Sequence, residues 1–266
     1  MANNQTLQRI KAIQARLGLV ADGIIGPATL TALENIIGQV LGQPEVAVAH
    51  QMKISQKGLG QIIKFEIGSK AYYNRKLKSP VWPGGQSGVT IGVGYDLGYH
   101  SERQIARDWK GRVDDADLKG LLRVSGIKGR AAKRKAASLH HISIPYQVSQ
   151  EVFLTRVLPD FAKQTKRAFP SVGALPPDAQ AMLLSLVFNR GPSVANNNRR
   201  REMRNIKLLV PSGNLPAIAS EVRSMIRIWK GKDIERTMTR RRNKEAEMIE
   251  NARDESILPE AEVILV

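Results

Sequence analysis

Cysteine is missing from all 266 residues, and that one absence excludes disulfides, thiolate metal sites, iron–sulfur clusters and cysteine nucleophiles. Folding is therefore independent of redox compartment. Histidine is scarce as well. His50, His100, His140 and His141 fall in neither an HExxH nor any other metal-ligand spacing, which argues against a zinc enzyme and predicts no metal and no other cofactor. Long apolar runs are lacking: no stretch approaches the ~20 consecutive apolar residues of a membrane helix. The opening MANNQTLQRIKAIQARLG lacks the charged-then-apolar pattern of a signal peptide. A chain read this way is made in the cytoplasm and needs a separate route to reach anything beyond the membrane.

Acidic residues are few beside basic ones, 24 against 41, for a formal charge of +17. The excess is uneven. Residues 1–50 balance Arg9, Lys11 and Arg16 against Asp22, Glu34 and Glu45, so residues 51–266 carry the whole +17. The asymmetry predicts two domains, and a length of 266 residues accommodates them. The basic runs are 128–135, 199–201 and 240–242. Singly each reads as a solvated face; together they suit an anionic partner such as nucleic acid, lipid or a bacterial wall polymer. Apolar residues make up 42% of the chain, ordinary for a folded protein.

Leu7, Ile10, Ile13 and Leu17 recur at helical spacing, and Gly18 stops that helix. Asp22-Gly23 forms a turn. Pro27 suits the first turn of a second helix, continued by Thr29, Leu30, Leu33, Ile36 and Ile37. This stretch resembles the wall-binding repeat of bacterial and phage lytic enzymes. The likeness rests on Ile13-Gln14, Leu17-Gly18-Leu19, Asp22-Gly23-Ile24, Gly26-Pro27, Thr29 and Leu33. It implies binding to peptidoglycan stem peptides.

A second segment opens with a helix from about Ser55 to Ile67, with Leu59, Ile62, Ile63 and Ile67 on its apolar face. Glu66 lies three and four residues from Ile63 and Ile62, so it shares that face. Gly68 ends the helix, which puts the carboxylate near the negative end of the dipole. Burial and dipole both disfavour the charged form, the setting of a general acid; the bland alternative is a pair with Lys70. Further on, Val89, Ile91, Val93 and Tyr95 alternate with Thr90, Gly92, Gly94 and Asp96, a strand with one buried face and one lean face.

A helix ending in Glu-x-Gly, then a loop, then Thr-Ile-Gly-x-Gly resembles the active-site hairpin of phage-type lysozymes. Those enzymes usually carry an aspartate between the glutamate and the threonine. Residues 67–89 hold no acidic residue here, and Gly84 stands six before Thr90. The order is instead similar to the pesticin-like muramidases, where the aspartate follows the threonine. Ala181–Gly191 resembles the central helix of these lysozymes, and 240–247 their Arg-Arg-x-x-Glu-Ala helix. The likeness spans roughly 53–250; residues 100–150 carry no part of it.

The resemblance implies an α+β, mostly helical fold: a wall-binding module over 1–42, a linker over 43–52, and a lysozyme-like domain with a small β-hairpin over 53–266. It makes Glu66 the acid, Thr90 the water-orienting hydroxyl and Asp96 the second carboxylate. Tyr73, Trp82, Gly94, Asn189 and Arg190 are candidate substrate contacts, with packing the alternative for the aromatics and helix closure for Asn189 and Arg190. The implied activity is hydrolysis of the β-1,4 bond between N-acetylmuramic acid and N-acetylglucosamine by a monomeric phage endolysin. Such an enzyme would wait in the host bacterial cytoplasm for a separate pore-forming protein. Its partner would be peptidoglycan, helped by anionic wall or outer-membrane polymers, with nucleic acid no primary target. The competing functions are a lytic transglycosylase and a non-enzymatic basic wall-binding protein. One geometric condition follows. A straight strand would set Thr90 and Asp96 ~20 Å apart, so the site requires a sharp bend near Gly92–Gly94.

Overall fold

The structure, a computed structural model, describes residues 2–25, 29, 32, 33 and 51–266. Helices dominate and strands are short, the mostly helical α+β class that the sequence predicts. In chain order come helix α1 (Ala2–Arg16), strand β1 (Lys53–Ser55), helix α2 (Gln56–Ile67) and strands β2 (Thr90–Ile91) and β3 (Tyr95–Asp96). Helices α3 (Glu102–Trp109), α4 (Asp115–Leu122), α5 (Gly129–Ser138), α6 (Tyr146–Val152) and α7 (Leu158–Ala168) follow. The chain continues through α8 (Pro177–Arg190), α9 (Arg201–Leu209), α10 (Leu215–Ser224) and α11 (Glu235–Glu250) to strand β4 (Val263–Leu265). Two compact units result, one of Met1–Leu59 with Gln164–Val266, the other of Gly60–Lys163. The seams fall inside α2 and α7.

At the N-terminus, α1 ends where Gly18 adopts φ +71°. The following turn is organised by Gln14, which is 2% exposed. Its amide nitrogen donates to Asp22 Oδ1 at 2.7 Å, to the Ile24 carbonyl at 2.9 Å and to Thr29 Oγ1 at 3.1 Å. Its oxygen accepts from Gly23 N at 2.7 Å. One buried amide thus ties together four positions of the wall-binding resemblance. The Ile24 amide, and then Gln14, hold the Asp22 carboxyl below its usual range. Of the predicted apolar face, Ile10 and Leu17 are half-buried, while Leu7 and Ile13 are exposed. The expected positions Gly26, Pro27, Leu30, Ile36 and Ile37, and the linker as far as residue 50, lie outside the described residues.

In the first unit α8 is buried without a break from Pro177 to Val187. A helix apolar nearly all round belongs in an interior. It packs against α11 and β1, and β1 pairs antiparallel with β4, Ile54 opposite Ile264. Gly58 lets α2 approach α8 closely, because a Cβ there would collide with Ala181. Glu245 is fully buried and charged, which demands partners. Ser185 Oγ donates to it at 2.7 Å, Arg241 Nε at 3.2 Å, and Arg242 Nε lies 3.0 Å away. Of the basic run 240–242, then, two arginines point inward and dock the helix; only Arg240 is exposed.

In the second unit helices α3 to α6 accompany the hairpin β2–β3. Ser101 and Gln104 form a capping box that starts α3, and Asp114 accepts from Asp117 N at 2.7 Å to start α4. Tyr95 is buried, stacked on His100 at 4.0 Å and edge-on to Trp109 at 5.5 Å, with its hydroxyl donating to Asp108 Oδ2 at 2.8 Å. Helix α5 buries Ala132 and Ala136 and turns Arg130, Lys133, Arg134 and Lys135 to solvent. Among the described residues no helix is long and apolar enough to cross a membrane.

Candidate active site

The single strand expected over Val89–Asp96 is a hairpin. The chain reverses through Gly92-Val93-Gly94, whose glycines take φ +60° and +70°, a region closed to most side chains. Gly92 is needed for space as well: a Cβ there would lie 2.8 Å from Ser149 Oγ and 3.3 Å from the Trp109 ring. Sequence alternation survives the bend, since Val89, Ile91, Val93, Tyr95 and Leu97 are all buried. The register sets Thr90 opposite Asp96 and Ile91 opposite Tyr95.

The type of pair matters. Leu97 N donates to Val89 O at 2.9 Å, which closes a wide ring around Thr90 and Asp96. Theirs is therefore a non-hydrogen-bonded pair, the kind whose side chains stand closest, with Cβ atoms ~4.5–5.5 Å apart on one face. On the other side Thr90 exchanges two hydrogen bonds with Val81, at 2.9 and 2.8 Å. Thr90 is thus the centre of a row running Val81, Thr90, Asp96. Its hydroxyl is buried and meets no hydrogen-bond partner among the described residues. A fixed hydroxyl without a protein partner beside a carboxylate is suited to holding a water.

Asp96 is already partly engaged. Gly88 N donates to both of its oxygens, at 2.9 and 3.0 Å, and Gly98 N to Oδ1 at 2.9 Å. It thereby caps the turn Leu97–Tyr99 and clips the loop 84–88 to it. These bonds fill two acceptor positions on Oδ1 and one on Oδ2, so Oδ2 keeps capacity for a water. Burial pushes the Asp96 carboxyl above its usual range, against the pull of the Gly88 and Gly98 amides, His100 and Lys128. The clip exists only because both backbones are bare. A Cβ on Gly88 would strike Asp96 and Gly98, and one on Gly98 would come within 2.8 Å of Gly88 Cα. Sequence reading missed Gly88 and Gly98; their signal was a glycine on each side of the hairpin, legible only once the register is known.

Glu66 lies in the last turn of α2 and is half-buried, with Gly68 following at φ +68°. Ile62 and Ile67 beside it are buried and Ile63 half-buried. Lys70, the alternative partner read from the sequence, sets its ammonium 5.7 Å from the Tyr146 ring.

The candidate substrate contacts separate. Tyr73 is corrected: it is fully buried, donates its hydroxyl to Ile144 O at 3.0 Å and packs edge-on against Tyr146 at 5.3 Å. A ring with no exposed face has none to offer a sugar. Trp82 is half-buried, donates its indole N–H to Ser87 O at 3.1 Å and has the Lys133 ammonium 5.6 Å from its ring. Gly94 shapes the hairpin turn. Asn189 and Arg190 belong to the other unit, where Asn189 Oδ1 accepts from Arg242 at 3.1 Å.

Comparison with known families adds to each end of this picture. Residues 2–33 match the family described as "Putative peptidoglycan binding domain". The match supports a peptidoglycan-binding module at the N-terminus, with peptidoglycan as its partner and a cell-wall-associated function. Residues 63–169 match a family described as "Domain of unknown function (DUF8812)". That match takes in Glu66, Thr90 and Asp96 together with the helices at 100–150, and brings no activity with it. No curated protein matches the chain.

Proposed function

We propose that the chain is a peptidoglycan hydrolase that cuts the β-1,4 bond between N-acetylmuramic acid and N-acetylglucosamine. The observation that carries the reading is the adjacent pair of Thr90 and Asp96, a hydroxyl without a partner among the described residues beside a carboxylate with one free acceptor position. The wall-binding module supplies the context, since it tethers the chain to the polymer to be cut. Glu66 would protonate the leaving oxygen, while Asp96 and Thr90 would hold and activate the attacking water. Water held on the opposite side of the bond gives an inverted product, which calls for carboxyl groups ~6.5–9.5 Å apart. On this reading the chain is an endolysin held in the host cytoplasm until a separate pore releases it, and its +17 charge draws it to anionic wall or outer-membrane polymers.

A second reading, a lytic transglycosylase needing only Glu66, is favoured by one observation: three hydrogen bonds already tie Asp96 to Gly88 and Gly98. Mass spectrometry of digested peptidoglycan separates the two. Hydrated reducing disaccharides establish the hydrolase, anhydro ends the transglycosylase, and an undigested wall leaves only a binding protein.

A further inference from the structure

Helix α8 ends at Arg190, and Gly191 turns the chain at φ +75°. The last carbonyls of a helix are electronegative, which accounts for one cation there. Here a second arrives. Arg200, from the turn Asn198–Arg200, brings Nη2 to 3.9 Å from where a Gly191 Cβ would stand.

The acid whose charge reaches Arg190, Glu202, is already taken. Glu202 is fully buried and pairs with Arg227, at 2.6 and 3.0 Å, and with Arg201 at 3.0 Å. Among the described residues neither Arg190 nor Arg200 forms an ion pair. Arg190 Nη2 donates to Arg199 O at 2.6 Å, but Arg190 Nε and Arg200 Nη1 are buried and meet no acceptor. The Arg190 guanidinium also lies 5.3 Å from the ring of the buried Trp229, an apolar wall that strengthens charge interactions beside it. Burial, then the neighbouring Arg200, Arg242 and Arg199, push Arg190 down to about 10. An anion between these arginines would relieve both the repulsion and the missing acceptors.

We infer that Arg190 and Arg200 form a binding site for a carboxylate borne on the stem peptide of peptidoglycan. Two cationic N–H donors match the two oxygens of one carboxylate, whereas a phosphate dianion presents more acceptors than the pair satisfies. The identity of the polymer rests on the N-terminal module; the carboxylate site itself stands apart from the role proposed for Glu66.

The test uses the full chain, labelled with nitrogen-15, titrated with sodium acetate, sodium phosphate or sodium chloride at one ionic strength. The arginine Nε–Hε signals that vanish in Arg190→Gln and Arg200→Gln should move saturably with acetate, and Arg200→Gln should weaken acetate binding about tenfold. Should Arg190→Gln fail to fold, Arg200→Gln carries the assignment, because the Arg200 side chain makes no hydrogen bond among the described residues. In parallel, Glu66→Gln protein is bound to purified wall sacculi before and after amidation of their carboxyl groups. Amidation should weaken its binding, and should do so less once Arg200→Gln is added. Signals unmoved by acetate, signals moved by phosphate alone, or binding indifferent to amidation would each overturn the proposal. None of these outcomes depends on whether the parent clears a wall, which tests the hydrolase reading separately.

Discussion

Glu202 in the larger unit and Asp96 in the hairpin unit are both carboxylates drawn out of water, and they titrate in opposite directions. Burial would raise each. For Glu202, hydrogen bonds and charge from Arg227, with Arg201 behind, overcome burial and hold its carboxyl below the usual range. For Asp96 the counterweights are backbone amides with more distant His100 and Lys128, and burial wins. A carboxylate neutralised by arginine is committed to holding helices together, as Glu245 is with Arg241 and Arg242. One held by neutral amides keeps affinity for a proton and room for a water. By this contrast the larger unit is braced by ion pairs, and the hairpin unit holds the chemistry of the proposed hydrolase.

The largest expected effect tests the chemical side of the contrast. Glu66→Gln should lower clearing of purified walls by about 10²–10⁴-fold while circular dichroism stays unchanged; clearing at the parent rate would remove the proposed acid. Next comes the structural side. Glu245→Ala leaves two inward arginines facing an empty position and should cost about 3–5 kcal/mol in urea unfolding. A loss below ~1 kcal/mol would mean that the pairing hardly braces the unit.

Gly88→Ala forces a Cβ onto Asp96 and Gly98, and should cost about 1–3 kcal/mol along with most of the clearing activity. Asp96 gives the sharper comparison. Asp96→Asn keeps an acceptor for the loop but loses the charge, while Asp96→Ala loses both. A hydrolase should fail with either, and a transglycosylase should keep its rate with the asparagine.

The smallest effects are in pH. Clearing that needs ionised Asp96 should fall, on acidification, through a midpoint above the ordinary aspartate value of 3.8. Stability should move the opposite way at the two sites. Glu202, with its lowered value, contributes stability that is present above 4.5 and lost as the pH falls. Asp96, with its raised value, favours the fold at acid pH and loses that contribution as the pH rises past 3.8 and through its folded value. Urea midpoints of Glu202→Gln and Asp96→Asn across pH 3 to 7 should therefore flatten opposite slopes; parallel curves would dissolve the contrast.

Much of the fold was legible before any coordinates. The helix over 56–67 follows from apolar spacing and a glycine stop, resemblance marks helices at 181–191 and 240–247 inside the longer ones observed, and the alternation from Val89 to Tyr95 matches the buried face. Alternation carries no information on where a strand turns back, so the hairpin entered only as a condition on the site, resting on two glycines. Tyr73 shows the opposite failure: composition marks an aromatic as a sugar platform or a core residue, and only packing against Tyr146 and Ile144 decided for the core.

The sequence by itself determined local matters: the helix over 56–67 and the glycine that ends it, how charge divides along the chain, and the likeness of its start to a wall-binding module. Those depend on neighbours within a few residues. Tertiary structure alone decided that Thr90 faces Asp96, that Gly88 and Gly98 must be bare, and that Arg200 comes to Gly191 at the end of α8. Each of these is a contact between segments brought together by register or turn, and the cost of a missing Cβ, charge or acceptor is set by what stands opposite in space.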